Sequence, residues 1–312
     1  MKIVFLDAKT IGEDIDLSGF DELGTVVRYG FSTEAQARER TRDADVLVLN
    51  KVEINERTIG EAEHLKLVCV TATGTNNLDK EYLDSRGIAW RNVAGYSTES
   101  VAQHTFAMLF YLLEKLRYYD DYVKSEAYVG DVIFTHFSNV FHELSGKTWG
   151  IAGLGSIGRR VAEIAALFGC RVIYYSTSGK NDQPDYERVS FEELLRRADI
   201  LSVHAPLNEN TRGLMNGAAF AQMKETAIFL NLGRGPIVVE QDLADALNAG
   251  RIAAAGLDVL CEEPMRQDNP LRAIKDSQRL FITPHIAWAS VEARIRLMKT
   301  IEGQIREYFR HT

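Results

Sequence analysis

Four groups of residues in this 312-residue sequence have types and spacings that could do chemistry together. His285 follows Pro284 directly after the apolar run at 280–283, and histidine, with an ordinary pKa of about 6.5, suits a proton donor near neutrality. Glu262 and Glu263, just before Pro264, offer a carboxylate to orient that ring and favour the imidazolium. Arg234 stands in a tight Gly-Arg-Gly turn, where a planar guanidinium can clamp a carboxylate with two parallel hydrogen bonds. The fourth group is Gly153-Leu154-Gly155-Ser156-Ile157-Gly158, a spacing that suits a dinucleotide pyrophosphate. A nicotinamide exchanges hydride, and turning a ketone into an alcohol also needs a proton at the oxygen, so these groups complement one another.

Their positions depend on the elements around them. An apolar run at 148–152 precedes the glycine turn, and apolar residues at helical spacing follow it: Ile157, Val161, Ile164, Ala165 and Phe168. Strand, glycine turn and helix in that order let backbone N–H groups meet phosphate oxygens. Gly153 would make the tight turn, Gly155 would leave room for the phosphates, and Gly158 would let helix and strand pack closely. Further strand-like runs at 171–175, 200–203, 227–230, 253–259 and 280–283 alternate with helical patterns such as 191–198 and 241–248, the latter closed by Gly250. That is a doubly wound Rossmann domain. In open parallel sheets ligands bind beyond the carboxyl ends of the strands, and the turns at His204-Ala205-Pro206 and 231–235, with Asp258 and His285, all fall there. They are expected to share one crevice.

The dinucleotide strand sits mid-chain, so another α/β domain must precede it. Runs at 3–6, 25–28, 46–49, 65–70 and 88–90 alternate with polar or amphipathic stretches, the pattern of βαβ units and a parallel sheet. The pattern breaks at Glu99, where one long helix is predicted from Ala102, Phe106, Leu109, Leu113 and Leu116. Residues 1–98 and 289–312 are assigned to a substrate-binding domain, and 99–288 to the dinucleotide-binding domain. The aromatic-rich stretch from about 120 to 141 reads as an excursion packed on its own domain or on a second subunit. His104, among apolar neighbours on the long helix, reads as structural.

Composition narrows the function classes. With 46% hydrophobic and 26% charged residues this is an ordinary globular chain. Its 44 acidic and 36 basic residues give a formal net charge of −8, which gives no general attraction to nucleic acid or anionic membrane. Cys69, Cys170 and Cys261 lie far apart without C-x-x-C spacing, which fits a reduced, cytoplasmic setting. The N-terminal apolar run ends at Asp7, too soon for a signal or membrane segment. His64, His104, His136, His142, His204, His285 and His311 lack ligand spacing, so no metal is expected.

The sequence resembles the D-isomer-specific 2-hydroxyacid dehydrogenases over nearly its whole length. The resemblance rests on 153–158, on Asn231-Leu232-Gly233-Arg234-Gly235, on Gly256-Leu257-Asp258-Val259 running into Glu262-Glu263-Pro264, and on Pro284-His285. It implies a Rossmann NAD(P)-binding domain inserted in a flavodoxin-like substrate domain, both doubly wound parallel sheets. It implies Arg234, Glu263 and His285 as the catalytic set, the glutamate being the one immediately before the proline. Asp258 would hold the nicotinamide carboxamide, and Ser156, Ile157, His204, Pro206 and Thr211 join the three glycines as cofactor contacts. Backbone amides of Thr73 and Gly74 would bind the substrate carboxylate beside Arg234, with Tyr96 and Trp288 as candidate pocket walls. A homodimer through the cofactor domains is also implied.

Within the family, residues 72–77, 95–98 and 284–290 look most like glycerate dehydrogenases, also called hydroxypyruvate reductases. D-Lactate dehydrogenases share the scaffold, and NAD(H)-sensing corepressors of the same family are the rival from another class. One departure stands out. Ser176 occupies the place where the family usually carries an acid for the ribose 2′-hydroxyl. No carboxylate there repels a 2′-phosphate, and hydroxyls of Ser176, Thr177 or Ser178 with the charge of Lys180 offer donors to one, so NADP(H) is expected beside NAD(H).

Overall fold

Strand β1 (Lys2–Phe5) is buried at Ile3, Val4 and Phe5, and β3 (Val46–Leu49) and β4 (Leu67–Val70) are buried at every position. Strands without an exposed face belong in a parallel sheet covered by helices on both sides. With β2 (Thr25–Arg28) and β5 (Ala89–Arg91) they form a five-stranded parallel sheet of order β2-β1-β3-β4-β5, the flavodoxin-like arrangement. The computed structural model describes residues 1–310, so His311 lies outside the described residues. Two units emerge from the contacts, Met1–Ser97 with the chain from Ala289 onward, and Thr98–Trp288.

In the first unit the Asp7 carboxylate, at the end of β1, accepts the backbone N–H groups of Asn50, Lys51 and Val52 at 2.8, 2.7 and 3.2 Å. Burial pushes its pKa up, against those three amides. The helix Val291–Arg310 closes this unit by burying Ala293, Leu297, Met298, Ile301 and Ile305, one helical face. Arg294 ties the helix start to Asp14 through two bonds of 2.6 and 2.8 Å.

The second unit holds β6 (Thr148–Ala152), β7 (Arg171–Tyr175), β8 (Glu187–Arg188), β9 (Ile200–Val203), β10 (Ile228–Asn231), β11 (Ala254–Leu257) and β12 (Leu280–Ile282). Their order is β12-β11-β10-β9-β6-β7-β8, all parallel. The winding reverses at β6, between β7 and β9, so the carboxyl end of β6 is the switch point where such sheets bind ligands. Near the amino end of β6, Trp149 is fully buried, its indole N–H donating to Ser202 Oγ at 2.9 Å. Gly250, at φ +69°, ends the helix Glu240–Asn248 as its position suggested.

Two elements differ from the sequence reading. The long helix from Glu99 is two helices, Thr98–Leu113 and Leu116–Lys124, because Lys115 takes the left-handed conformation at φ +54°. The buried stripe stops at Leu112, and Leu116, the next apolar residue in phase, is 48% exposed, so packing no longer holds one axis. Strand β8 is two exposed residues on the sheet edge and carries no apolar signal. Among the described residues no helix is long and apolar enough to cross a membrane, and all three cysteines are free.

Candidate active site

The glycine turn is built as its spacing implied, each glycine for a different steric reason. Gly153 leaves β6 at φ +94°, and a Cβ there would sit 2.9 Å from the Ala205 backbone nitrogen. A Cβ on Gly158 would come within 2.3 Å of the Gly153 carbonyl oxygen, so helix and turn touch backbone to backbone. A Cβ on Gly155 would meet nothing within 4 Å, and that open face lies over the start of the helix Ser156–Leu167. Gly155 caps this helix without a side chain, leaving first-turn N–H groups and the positive helix end for an anion. Ser156 is exposed and Ile157 half-buried at this end. The cradle fits a pyrophosphate.

The neighbouring strand ends complete the rim. His204 follows β9, and both its ring nitrogens are buried with no hydrogen-bond partner among the described residues. Burial pushes its pKa down to about 3. A native orphan of this kind invites a ligand donor or acceptor. The sign of the pH effect follows: a depressed folded-state pKa leaves the full contribution to stability above the ordinary value of 6.5, and it is lost as pH falls towards about 3. Each pH unit in that window removes up to about 1.4 kcal/mol. Urea midpoints should therefore drop more steeply from pH 7 to 5 in the native protein than in His204→Leu, and parallel curves would refute the assignment.

Thr211 is fully buried and turned inward. Its hydroxyl donates to the Pro206 carbonyl at 2.7 Å and accepts from Asn208 N at 2.8 Å, so its side chain shapes the 204–211 loop. At the end of β7, Ser176 is buried and its hydroxyl accepts from Asn181 N at 3.2 Å, while Thr177 is half-buried and Lys180 exposed. Arg188 joins this loop by donating from Nη2 to the Gly179 carbonyl at 3.0 Å. Nothing in the sequence pointed to Arg188, since it is one of two residues in an unsignalled edge strand.

His285 and Glu263 come together at the other side of the sheet. Nδ1 of His285 lies 2.7 Å from Oε2 of Glu263, and a carboxylate can only accept there, so the proton sits on Nδ1 and Nε2 is left for proton exchange. Glu263 is itself held, its Oε1 accepting from Leu260 N at 3.0 Å. Glu262 points to Arg266 instead, 3.5 Å away. Arg234 reaches the same loop through its neighbour: a Cβ on Gly235 would lie 1.8 Å from the Leu260 carbonyl oxygen, so only glycine permits this approach. Asn231 braces the turn, accepting from Gly233 N at 3.1 Å and donating to the Arg234 carbonyl at 3.0 Å. The half-buried Arg234 guanidinium donates to its neighbour's carbonyl, Gly233 O, at 2.8 Å and makes no salt bridge among the described residues.

Asp258, 2% exposed, is the hinge pin of this region. Its Oδ1 accepts from the Thr283 hydroxyl at 2.6 Å and from Ile286 N at 2.9 Å, and Oδ2 accepts from Ala287 N at 2.9 Å. Oδ1 is thereby saturated, while Oδ2 keeps a lone pair that suits an amide N–H₂. His285, between these anchors, has φ +55°, a left-handed conformation that costs a non-glycine residue about 1–2 kcal/mol. Strain of this kind persists only where the surroundings enforce it.

Thr73, Gly74 and Tyr96 belong to the other unit. The Thr73 hydroxyl donates to the Val93 carbonyl at 3.0 Å, and Tyr96 is buried, with Arg296 donating to its carbonyl. Trp288 is half-buried against the core around Trp149. No group of three or more His, Cys, Asp or Glu able to hold a metal occurs among the described residues.

Residues 106–287 match the family model described as D-isomer specific 2-hydroxyacid dehydrogenase, NAD binding domain. The chain is similar to a hydroxypyruvate reductase of Blautia hydrogenotrophica, 35% identical over 317 residues that cover 99% of this chain and 97% of that one. It is similar to a glycerate dehydrogenase of Methylorubrum extorquens, 31% identical and covering 94% and 91%. Among solved structures it resembles the acyclic imino acid reductase Bsp5 in complex with NADPH and D-Arg, with a TM-score of 0.88 at 28% identity, covering 100% and 98%.

Proposed function

The chain belongs to the D-isomer specific 2-hydroxyacid dehydrogenase family, and from that premise we propose that it reduces a small 2-keto acid, hydroxypyruvate or glyoxylate first, to the D-2-hydroxy acid. The observation that carries the reading is the 2.7 Å bond between His285 and Glu263 at a strand end of the dinucleotide unit. When bound, NAD(P)H would be the source of the hydride that reduces C2 of the keto acid. The residues that would hold the dinucleotide are Gly153, Gly155, Ser156, Ile157 and Gly158 at the pyrophosphate, Ser176, Thr177 and Lys180 at the ribose, Asp258 at the nicotinamide carboxamide, and His204, Pro206 and Thr211 in the turn beside Gly153.

His285 gives the proton from Nε2 to the ketone oxygen as it becomes a hydroxyl. Glu263 keeps Nδ1 protonated and the ring aimed, and stabilises the imidazolium that precedes donation. Arg234 binds the carboxylate and the polarised carbonyl, setting the reacting carbon in place. Thr73 and Gly74 amides, with Tyr96 and Trp288, are further substrate contacts in this reading. The test is loss of NADH or NADPH absorbance with hydroxypyruvate, glyoxylate, pyruvate and phenylpyruvate. Turnover of hydroxypyruvate or glyoxylate above pyruvate supports the reading, pyruvate first would make it a D-lactate dehydrogenase, and silence on all four would favour a dinucleotide sensor.

The same reading includes a homodimer. Beyond Leu116 the second unit exposes Val132 at 98%, Phe134 at 87% and Phe137 at 81%, with Val129 and Val140 beside them. Monomers rarely leave so much apolar surface to water. Light scattering should give the mass of two chains, and Phe134→Asp with Phe137→Asp should shift it to one; a native monomer would overturn this.

A further inference from the structure

His104 lies on the helix Thr98–Leu113 with buried Val101, Thr105 and Met108 around it, a place where leucine would pack more simply. Its Nε2 is 3.0 Å from the Thr283 hydroxyl oxygen. That hydroxyl has one proton, already given to Asp258 at 2.6 Å, so His104 must be the donor. Burial pushes the His104 pKa down, against the Asp258 charge 3.7 Å away, which keeps the ring neutral with its proton on Nε2.

The chain His104, Thr283, Asp258 ends on both flanks of His285. Asp258 grips Thr283 before it and the amides of Ile286 and Ala287 after it, and its carbonyl accepts from His285 N at 2.8 Å. The same helix holds the segment a second time, through Ser100 donating to the Ala287 carbonyl at 2.6 Å. A left-handed histidine needs this redundancy, because the relaxed backbone would swing the ring away from Glu263. We propose that His104 is a positioning residue for the proton donor: its Nε2–H pins the Thr283 hydroxyl on Asp258 and thereby holds segment 283–287 in the conformation where His285 meets Glu263. This rests on the proposed role of His285 but concerns its geometry, which can be read without turnover.

Three variants test it. His104→Leu removes the donor, His104→Gln keeps an N–H at similar reach, and Thr283→Val removes the hydroxyl at constant shape. His104→Leu should lower kcat about 10–100-fold with little change in KM, since misplacement of a reacting group acts on the chemical step. His104→Gln should recover most of it. Thr283→Val should match His104→Leu, and the double variant should be no worse than either, because both cut one chain. Ring resonances of His285 in the cofactor-free protein should stay single and sharp in the native and Gln forms, and broaden or double in the Leu and Val forms. Should His104→Leu fail to fold, Thr283→Val gives the same comparison. Equal impairment by Gln and Leu, multiplicative losses, or unchanged His285 signals in both Leu and Val forms would overturn the proposal. Those spectral changes in a protein inactive on every keto acid would uphold the positioning and sink the reductase reading.

Discussion

His285→Ala should lower kcat on the best keto acid by about 10²–10⁴-fold, the range that a positioned acid supplies, with the Kd for dinucleotide within a few-fold of native. The separation follows from the geometry. The dinucleotide cradle is made by Gly153, Gly155, Gly158 and the helix start, none of which touches His285. His285 spends its Nδ1 on Glu263 and its backbone N–H on the Asp258 and Thr283 carbonyls, leaving Nε2 as the remaining polar atom of its side chain. Alanine keeps the backbone bonds and carries a similar left-handed strain at φ +55°, so the loop need not refold. His285→Asn is the stricter version, because asparagine accepts that conformation more readily and still cannot serve as the acid. Stopped-flow absorbance gives kcat, and quenching of dinucleotide fluorescence gives Kd. A kcat within tenfold of native would remove His285 from the chemistry, whereas loss of both kcat and binding would make it a structural residue.

Much of this site is written in local pattern. Strands at 46–49, 148–152 and 200–203 coincide with apolar runs of the sequence, because buried parallel strands have no polar face to dilute the signal. The rule that ligands sit beyond strand ends then gathers Gly153, His204, Arg234, Asp258 and His285 without a coordinate. What escapes the sequence is set by distant packing. The link from His104 to Thr283 spans 179 positions, and only the fold makes the helical histidine a partner of the proton donor's segment. The break at Lys115 depends on where the sheet stops covering the helix, which apolar spacing at 109, 113 and 116 does not reveal. Glu262 and Glu263 are chemically alike, and one meets His285 only because the other faces outward to Arg266.

Ser176→Asp should move the ratio of kcat/KM for NADPH over NADH about a hundredfold towards NADH, the effect of about 3 kcal/mol of like-charge opposition to a 2′-phosphate. The native loop offers donors to such a phosphate. Ser176 ends β7 with its hydroxyl accepting from Asn181 N, so its proton remains available to an incoming acceptor. Lys180 stands exposed four residues on, with no salt bridge among the described residues, and Arg188 is tied to Gly179 in the same loop. Aspartate can keep the acceptor role towards Asn181 N, so the change is one of charge more than of fold. It also supplies the ribose 2′-hydroxyl with the carboxylate partner that NAD-preferring sites use, which should lower KM for NADH as KM for NADPH rises. Arg188→Ala separates charge from shape: it should weaken NADPH and leave NADH nearly untouched, because only the phosphorylated ribose presents a dianion to that edge. Initial rates with both cofactors at saturating keto acid decide the matter. An unchanged ratio in Ser176→Asp would mean that the ribose lies elsewhere in the loop, and Asp182 or Asp185 would then have to serve as its acid.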